Sequence, residues 1–251
     1  MTVPKSHPRY LSLSTRDRLV EGWEKGLVAT QGLIAHGRGE AFDYLIGERT
    51  TEEAELAEVL CAFLLLSAER PVISVNGNVG ALASEDLSEL ANLLGCPCEV
   101  NIFHRTEERV VRLAEELRSK GCRRVLGEKT DARIPGLDHA RALCSKDGIY
   151  ISDVVLVPLE DGDRCRALKN MGKKVLTIDL NPLSRTARTA DITILDNLTR
   201  AVPNLVGHCR KAQEKGAVHG IAIEGVRERL EDFDNIENMN RTLRRMVDRF
   251  R

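Results

Sequence analysis

Aromatic residues are scarce in this 251-residue chain, at 4% with a single Trp. A core has to be built instead from Leu, Val, Ile and Ala. There is no surplus of positive charge: Lys plus Arg is 37, Asp plus Glu is 38, and the net charge is −1. General nucleic-acid binding, which neutralises phosphates with a basic excess, is thereby excluded, and only a local basic pocket remains open. Long apolar runs are absent too. The most apolar stretch, near Val59–Ser67, is far short of a membrane span, and MTVPKSHPRYLSLSTRDRL holds no apolar segment of the kind a secretory signal needs. Neither a Gly-x-x-x-x-Gly-Lys-Ser/Thr loop nor a Gly-x-Gly-x-x-Gly fingerprint occurs. Cysteines number seven, an odd and scattered set (Cys61, Cys96, Cys98, Cys122, Cys144, Cys165, Cys209). This usage reads as a cytoplasmic protein with reduced thiols. Cys96-Pro97-Cys98 has no second pair and His208-Cys209 stands alone, so buried thiols and a surface histidine are expected rather than a zinc site. The sequence marks no metal ligands.

What is present is a globular composition, 42% hydrophobic and 30% charged. Residues 1–70 read as helical. Thr15 is expected to cap a helix carrying Leu19, Val20, Trp23, Leu27 and Val28, while Gly22, Gly26, Gly32, Gly37 and Gly39 suggest breaks. Thr50-Thr51-Glu52-Glu53 fits a capping box from Thr50 to Glu53. From Pro71 the pattern changes to short apolar strands alternating with helices. PVISV, CEVNIF, RRVLG, DVVLVPL, KKVLTIDL and DITILDN are the strands. Ser84, Thr106 and Asp161 or Gly162 begin helices, Gly95 and Gly121 stop two of them, 131–136 is a loop, and 139–144 holds a short helix. From Val202 onward the chain reads as mostly helical. Alternating strands and helices predict an α/β fold: a doubly wound, mostly parallel, Rossmann-like sheet with right-handed crossovers and additional N- and C-terminal helices. One domain over 1–251 is expected, with a helical region at 1–70, the sheet core at 71–200 and helices at 201–251.

Ligands of such sheets bind beyond the carboxyl ends of the strands. Four polar loops fall there. Asn76-Gly77-Asn78 offers unobstructed backbone N–H groups suited to a phosphate or carboxylate, or is simply a strand-to-helix turn. His104-Arg105 precedes the capping Thr106, where a bound anion would relieve an arginine set against the helix dipole; two solvated side chains are the plainer alternative. Asp179-Leu180-Asn181 leads into Ser184-Arg185-Thr186-Ala187-Arg188-Thr189, with two arginines able to fork onto phosphate. Asp179 suits a ribose hydroxyl or a metal-bound water. Asp196-Asn197-Leu198-Thr199 is the fourth loop. No Ser or Cys nucleophile with a base beside it stands out, so an enzyme of this sequence would align substrates rather than form a covalent intermediate.

The stretch IDLNPLSRTARTADITILDNLTRAVPNL, with PKSHPRYLSLSTRDRLVEGWEKGLVATQGLIAHGRGEAFDYLIGE and SVNGNVGAL, resembles the archaeal 4-phosphopantoate–β-alanine ligase (phosphopantothenate synthetase) family along nearly the whole chain. The resemblance implies a Rossmann-like homodimer that joins 4-phosphopantoate to β-alanine with ATP, releasing AMP and diphosphate, in coenzyme A biosynthesis. It implies an ATP site of Arg16, Arg38, Asp179, Leu180, Asn181, Arg185, Thr186, Asn197 and Leu198. A 4-phosphopantoate site of Asn76, Gly77, Asn78, His104 and Arg105 is read from strand-end position instead. The products point to an acyl adenylate, formed by carboxylate attack on the α-phosphorus and consumed by the β-alanine amine. Arginines, helix N-termini and Mg²⁺ would hold the converging anions. Neither a catalytic residue nor a base for the amine is evident. A non-catalytic nucleotide- or phosphosugar-sensing module, or a kinase forming ADP, are the rival readings. A dimer interface is placed either on the apolar helix near Val59–Leu66 or elsewhere, since that face could equally be core.

Overall fold

A computed structural model describes residues 3–215, 217–218 and 221–249. In chain order, helices α1 (Tyr10–Glu24), α2 (Thr30–Ile46) and α3 (Glu52–Ser67) precede strand β1 (Pro71–Val75). Then come α4 (Gly77–Leu94), β2 (Cys98–Val100), α5 (Glu107–Ser119), β3 (Val125–Leu126), β4 (Ala132–Arg133), β5 (Leu143–Cys144) and β6 (Val154–Leu156). The chain continues through α6 (Gly162–Asn170), β7 (Lys174–Ile178), α7 (Arg185–Thr189), β8 (Ile192–Ile194) and α8 (Leu198–Lys215). Short strands β9 (Ala217–Val218) and β10 (Ile221–Ala222) and helices α9 (Ile223–Glu231) and α10 (Asn235–Asp248) complete it.

Six strands form one sheet in the order β3-β2-β1-β6-β7-β8, every pairing parallel. Strands buried on both faces need apolar residues at successive positions, and these have them. Ile73, Val75, Leu156, Leu176 and Ile178 pack on the side of α3, α4, α5 and α8. Val72, Val155 and Val175 pack on the side of α6 and the crossover carrying β4 and β5. The strand order runs outward from β1 in both directions, so the chain reverses between β1 and β6. That is the topological switch point of a doubly wound fold.

Several local expectations are corrected. Thr15 lies inside α1, where its hydroxyl donates to the Leu11 carbonyl at 2.8 Å, rather than capping it. The glycines of the second segment do not break it: α2 runs unbroken through Gly32, Gly37 and Gly39, and the turn falls earlier, at Gly26. Thr51, not Thr50, caps α3, accepting from the Ala54 N–H at 3.2 Å. Helix α4 begins seven residues before Ser84 because Asn76 caps it; Ser84 follows a kink at Ala83. The 131–136 loop contains β4, and 139–144 is one 3₁₀ turn followed by β5. The Arg-rich loop winds into the short helix α7, capped by Ser184. Helix α8 starts at Leu198, before Val202. His208 is buried rather than on the surface. Val59 through Phe63 and Leu65 are core, which removes that face of α3 as an intersubunit surface. The seven thiols are free and buried.

Candidate active site

Because all six strands run in parallel, their carboxyl ends open onto one edge of the sheet, and the four polar loops gather there. At the switch point the side chain of Asn76 serves three backbone groups. Its Oδ1 accepts from the Val79 N–H at 3.2 Å, and its Nδ2 donates to the carbonyls of Pro158 at 3.1 Å and Leu159 at 3.0 Å. The loops after β1 and β6 are thereby tied together. Leu159 holds φ of +52°, a left-handed conformation that costs a branched residue energy and recurs at functional sites. Gly77 lies so close to the connection between α1 and α2 that a Cβ would sit 2.3 Å from the Leu27 carbonyl oxygen.

Beneath this crevice lies a charge cluster that the sequence reading does not reveal. Glu160, 1% exposed, takes the Arg141 guanidinium at 2.8 Å and also pairs with Arg164, which is fully buried. Arg141 reaches Asp161 at 2.7 Å and Asn101 at 3.2 Å; Arg164 reaches Ser74 at 3.3 Å. Two buried guanidiniums share one buried carboxylate, and Asp161, half-exposed, supplies the second negative charge that balances them. Burial also raises the Glu99 carboxyl, which accepts the N–H groups of Ser145 and Ile149, both at 2.7 Å.

Next along the edge, the loop after β7 is shaped by its own carboxylate. Asp179 accepts from the Asn181 N–H at 2.9 Å and from the Ser184 hydroxyl, and burial pushes its carboxyl up. Asn181 in turn accepts from the Leu183 N–H at 2.9 Å. Thr186 is buried, its hydroxyl bonded to the Glu160 carbonyl at 2.7 Å, so α7 is pinned to the loop after β6. Arg185 is exposed and lines a cavity of about 200 Å³ with Gly136, Gly162, Asp163 and Arg166. Leu180 and Leu198 are buried in apolar clusters, which leaves only their backbone groups for a ligand. After β8, the Asn197 amide donates to Asp43 at 2.8 Å, and its oxygen accepts from the Thr199 N–H at 3.1 Å and hydroxyl at 2.9 Å.

Helix α2 straps this edge. Its Gly32 carbonyl accepts from Asn78, beyond β1, at 2.8 Å. Gly39 lies against Leu180, beyond β7. Asp43 bonds Asn197, beyond β8, and pairs with Arg200, which also holds Asp196. These contacts recur at intervals of seven and four residues, one face of a helix. Arg16 of α1 forks onto Glu40 of α2, with its Nε 3.1 Å from both carboxylate oxygens, and burial is slight enough that this pairing raises its pKa. Arg38 is exposed, off the inward face, and takes no side-chain partner among the described residues. His104 is exposed beside Phe103, their rings 5.2 Å apart, whereas Arg105 turns away to the Gly127 carbonyl at 2.6 Å. The structure therefore brings the loops together, but spends Asn76, Asn78, Arg105, Asp179, Thr186 and Asn197 on shaping them. Arg185, Arg38 and His104 keep exposed side chains.

On the outer side of the β8 loop a polar chain continues. The Thr50 hydroxyl donates to Asp196 at 2.6 Å, and Asn204 donates to Thr50 at 3.2 Å and to Glu58 at 3.1 and 3.2 Å. His208 sits 3.7 Å from Glu58. Burial pushes the Glu58 carboxyl up to about 9.

A doubly wound α/β sheet with its polar loops and free arginines gathered at the switch-point edge defines a ligand-binding protein of the nucleotide-fold class. Residues 53–249 match the model of the phosphopantothenate/pantothenate synthetase family, and the chain belongs to that family. It is 52% identical to a Thermococcus onnurineus protein named 4-phosphopantoate–β-alanine ligase, over 98% of this chain and 93% of the relative. It is 54% identical to a Methanosarcina mazei protein of the same name, over 85% of this chain and 84% of the relative.

Proposed function

We propose that this protein is an ATP-dependent ligase that condenses 4-phosphopantoate with β-alanine to 4′-phosphopantothenate, in coenzyme A biosynthesis. The observation that carries this reading is the near full-length identity to relatives of that name. The edge described above suits the chemistry. Three anionic groups must meet there: a triphosphate, a substrate phosphate and a carboxylate. Arg185, Arg38, Arg16, and the backbone of 179–181, 186 and 197–198 form the ATP side; Asn76, Gly77, Asn78, His104 and Arg105 form the 4-phosphopantoate side at the switch point. Arg105 acts there by holding its loop to Gly127. The carboxylate attacks the α-phosphorus, diphosphate leaves, and the amine of β-alanine then displaces AMP from the acyl adenylate. Proximity supplies much of the rate, since well-aligned groups reach effective molarities of ~10⁵ M or more.

No group of three His, Cys, Asp or Glu converges among the described residues. The two acids of the nucleotide loops are engaged: Asp179 has both oxygens bonded within its own turn, and Asp196 is held by Thr50 and Arg200. That suits Mg²⁺ carried chiefly by ATP phosphates and water, as this ion prefers; when bound it would offset phosphate charge. We read the chain as a single domain, on an apolar cluster that runs from Leu19 of α1 to Val226 of α9. A cytoplasmic homodimer completes the reading. Among the described residues no helix is long and apolar enough to cross a membrane. Leu11, Val20 and Trp23 of α1, all exposed, are the apolar surface that a second copy would cover.

The test is incubation with ATP, with and without 4-phosphopantoate and β-alanine. AMP and diphosphate should appear only with the carboxylic acid present. ADP would indicate a kinase, and intact ATP a sensor. Arg185→Ala is expected to raise the KM for ATP tenfold or more, on the scale of a lost charged contact; unchanged ATP kinetics would remove Arg185 from the site.

A further inference from the structure

The amine of β-alanine is an ammonium at neutral pH and must lose a proton before it attacks. We propose that His36 is the residue that takes it. This rests on the ligase reading above and adds a catalytic residue to it.

The argument is one of placement. Helix α2 touches the loop after β1 through Gly32 and the loop after β7 through Gly39. Seven residues of helix rise ~10 Å, which matches two strand spacings of ~4.8 Å each. The intervening strand is β6. His36 lies four residues, ~6 Å, beyond Gly32 on the same inward face, and so stands over the β6 loop at the switch point. Leu159 and Glu160 occupy that loop, with the strained backbone and the buried charge cluster. It is also the position where the crevice of a doubly wound sheet receives its ligand.

The chemistry of the side chain agrees. His36 is half-buried and makes no hydrogen bond or ion pair among the described residues, so its ring is not engaged in holding the strap. Burial lowers its pKa, which leaves a neutral imidazole able to accept. The charged groups around it are already matched. Arg16 of α1 is paired with Glu40, and Asp43 with Arg200. At the β6 loop itself, Glu160 is paired with Arg141 and Arg164, and Asp161 with Arg141. No uncommitted carboxylate there competes for the ammonium proton.

The step balances as follows. The ammonium gives one proton to an imidazole nitrogen of His36. The freed lone pair forms the C–N bond to the acyl carbon, and the C–O bond to the adenylate breaks with its electron pair leaving on AMP. The second N–H proton is lost to solvent as the amide forms, and the imidazolium releases its own proton to water.

The experiment separates the half-reactions in the full-length enzyme. His36→Gln and His36→Asn are compared with wild type in 4-phosphopantoate-dependent ATP–diphosphate exchange, in amide formation with β-alanine, and in trapping of the acyl adenylate by hydroxylamine, an amine already uncharged at neutral pH. Exchange and hydroxamate formation should stay within about twofold, while kcat with β-alanine falls a hundredfold or more, the usual scale of general base catalysis. The wild-type pH profile for β-alanine should level off above the imidazole's titration, whereas in both variants the rate should keep rising about tenfold per pH unit towards the ammonium's own titration. Equal loss in all three assays would make His36 structural and overturn the proposal, as would wild-type rates with β-alanine. Absence of exchange in the wild-type enzyme would instead overturn the adenylate reading on which it stands.

Discussion

Glu160 decides whether the switch point holds its shape. It is the shared partner of two guanidiniums that water does not reach. Glu160→Ala leaves the buried Arg164 without a carboxylate and Arg141 with Asp161 alone, and should cost about 3–5 kcal/mol, the usual penalty for breaking a buried pair. Urea denaturation measures it; a loss below about 1 kcal/mol would mean that the cluster is solvated in solution. This cluster is hidden in the sequence for a physical reason. Glu160 and Arg164 stand one helical turn apart at the start of α6, where charged residues ordinarily face solvent, and Arg141 comes from a distant crossover. His36 is obscured likewise, because only the docking of α2 gives its helix an inward face there. The edge to which Arg185 belongs is easier to read, since the connection that follows a parallel strand starts at the carboxyl end of the sheet whatever its packing.

At the scale of elements, α2 shows why glycine content misleads. Gly32 sits where an added Cβ would come within 2.3 Å of Asn78 Oδ1, whereas Gly37 faces open space. Gly37→Ala should therefore stabilise the protein by about 0.5–1 kcal/mol, from helix propensity alone. Gly32→Ala should destabilise it and weaken catalysis, because the strap can no longer seat on the β1 loop. Paired melting curves and kinetics test this; equal effects of the two substitutions would mean that α2 does not dock as described. The glycines that read as helix breaks are thus in part the condition for close approach. The strands and the order of elements were legible from β-branched runs separated by caps, but α7 and the β4–β5 pair were not. Neither Arg185–Thr189 nor Ala132–Arg133 and Leu143–Cys144 lies in a β-branched apolar run of the kind that marks the sheet strands.

For the whole molecule, the polar chain from Asp43 through Arg200, Asp196, Thr50 and Asn204 to Glu58 joins the strand-end edge to the packing of α3 on α8. Glu58 folded holds its proton up to about 9, while unfolded it titrates near the ordinary carboxylate value. Between these limits the folded chain binds the extra proton, so stability falls as pH rises. Melting temperature should drop by several degrees from pH 5 to pH 9 in the wild type, and less in Glu58→Gln. Parallel curves for the two would place an ionised carboxylate at that position. The same long reach bears on how the crevice is closed. Asp43 finds Asn197 only across 154 residues of chain, whereas Gly32 meets Asn78 across 46, so the two ends of the strap differ in what they need: the second seats only once β8 is in place. A chain cut before β8 would lack the residue that latches this end of the strap, so the crevice would stay open at its far side however well the first strands had formed.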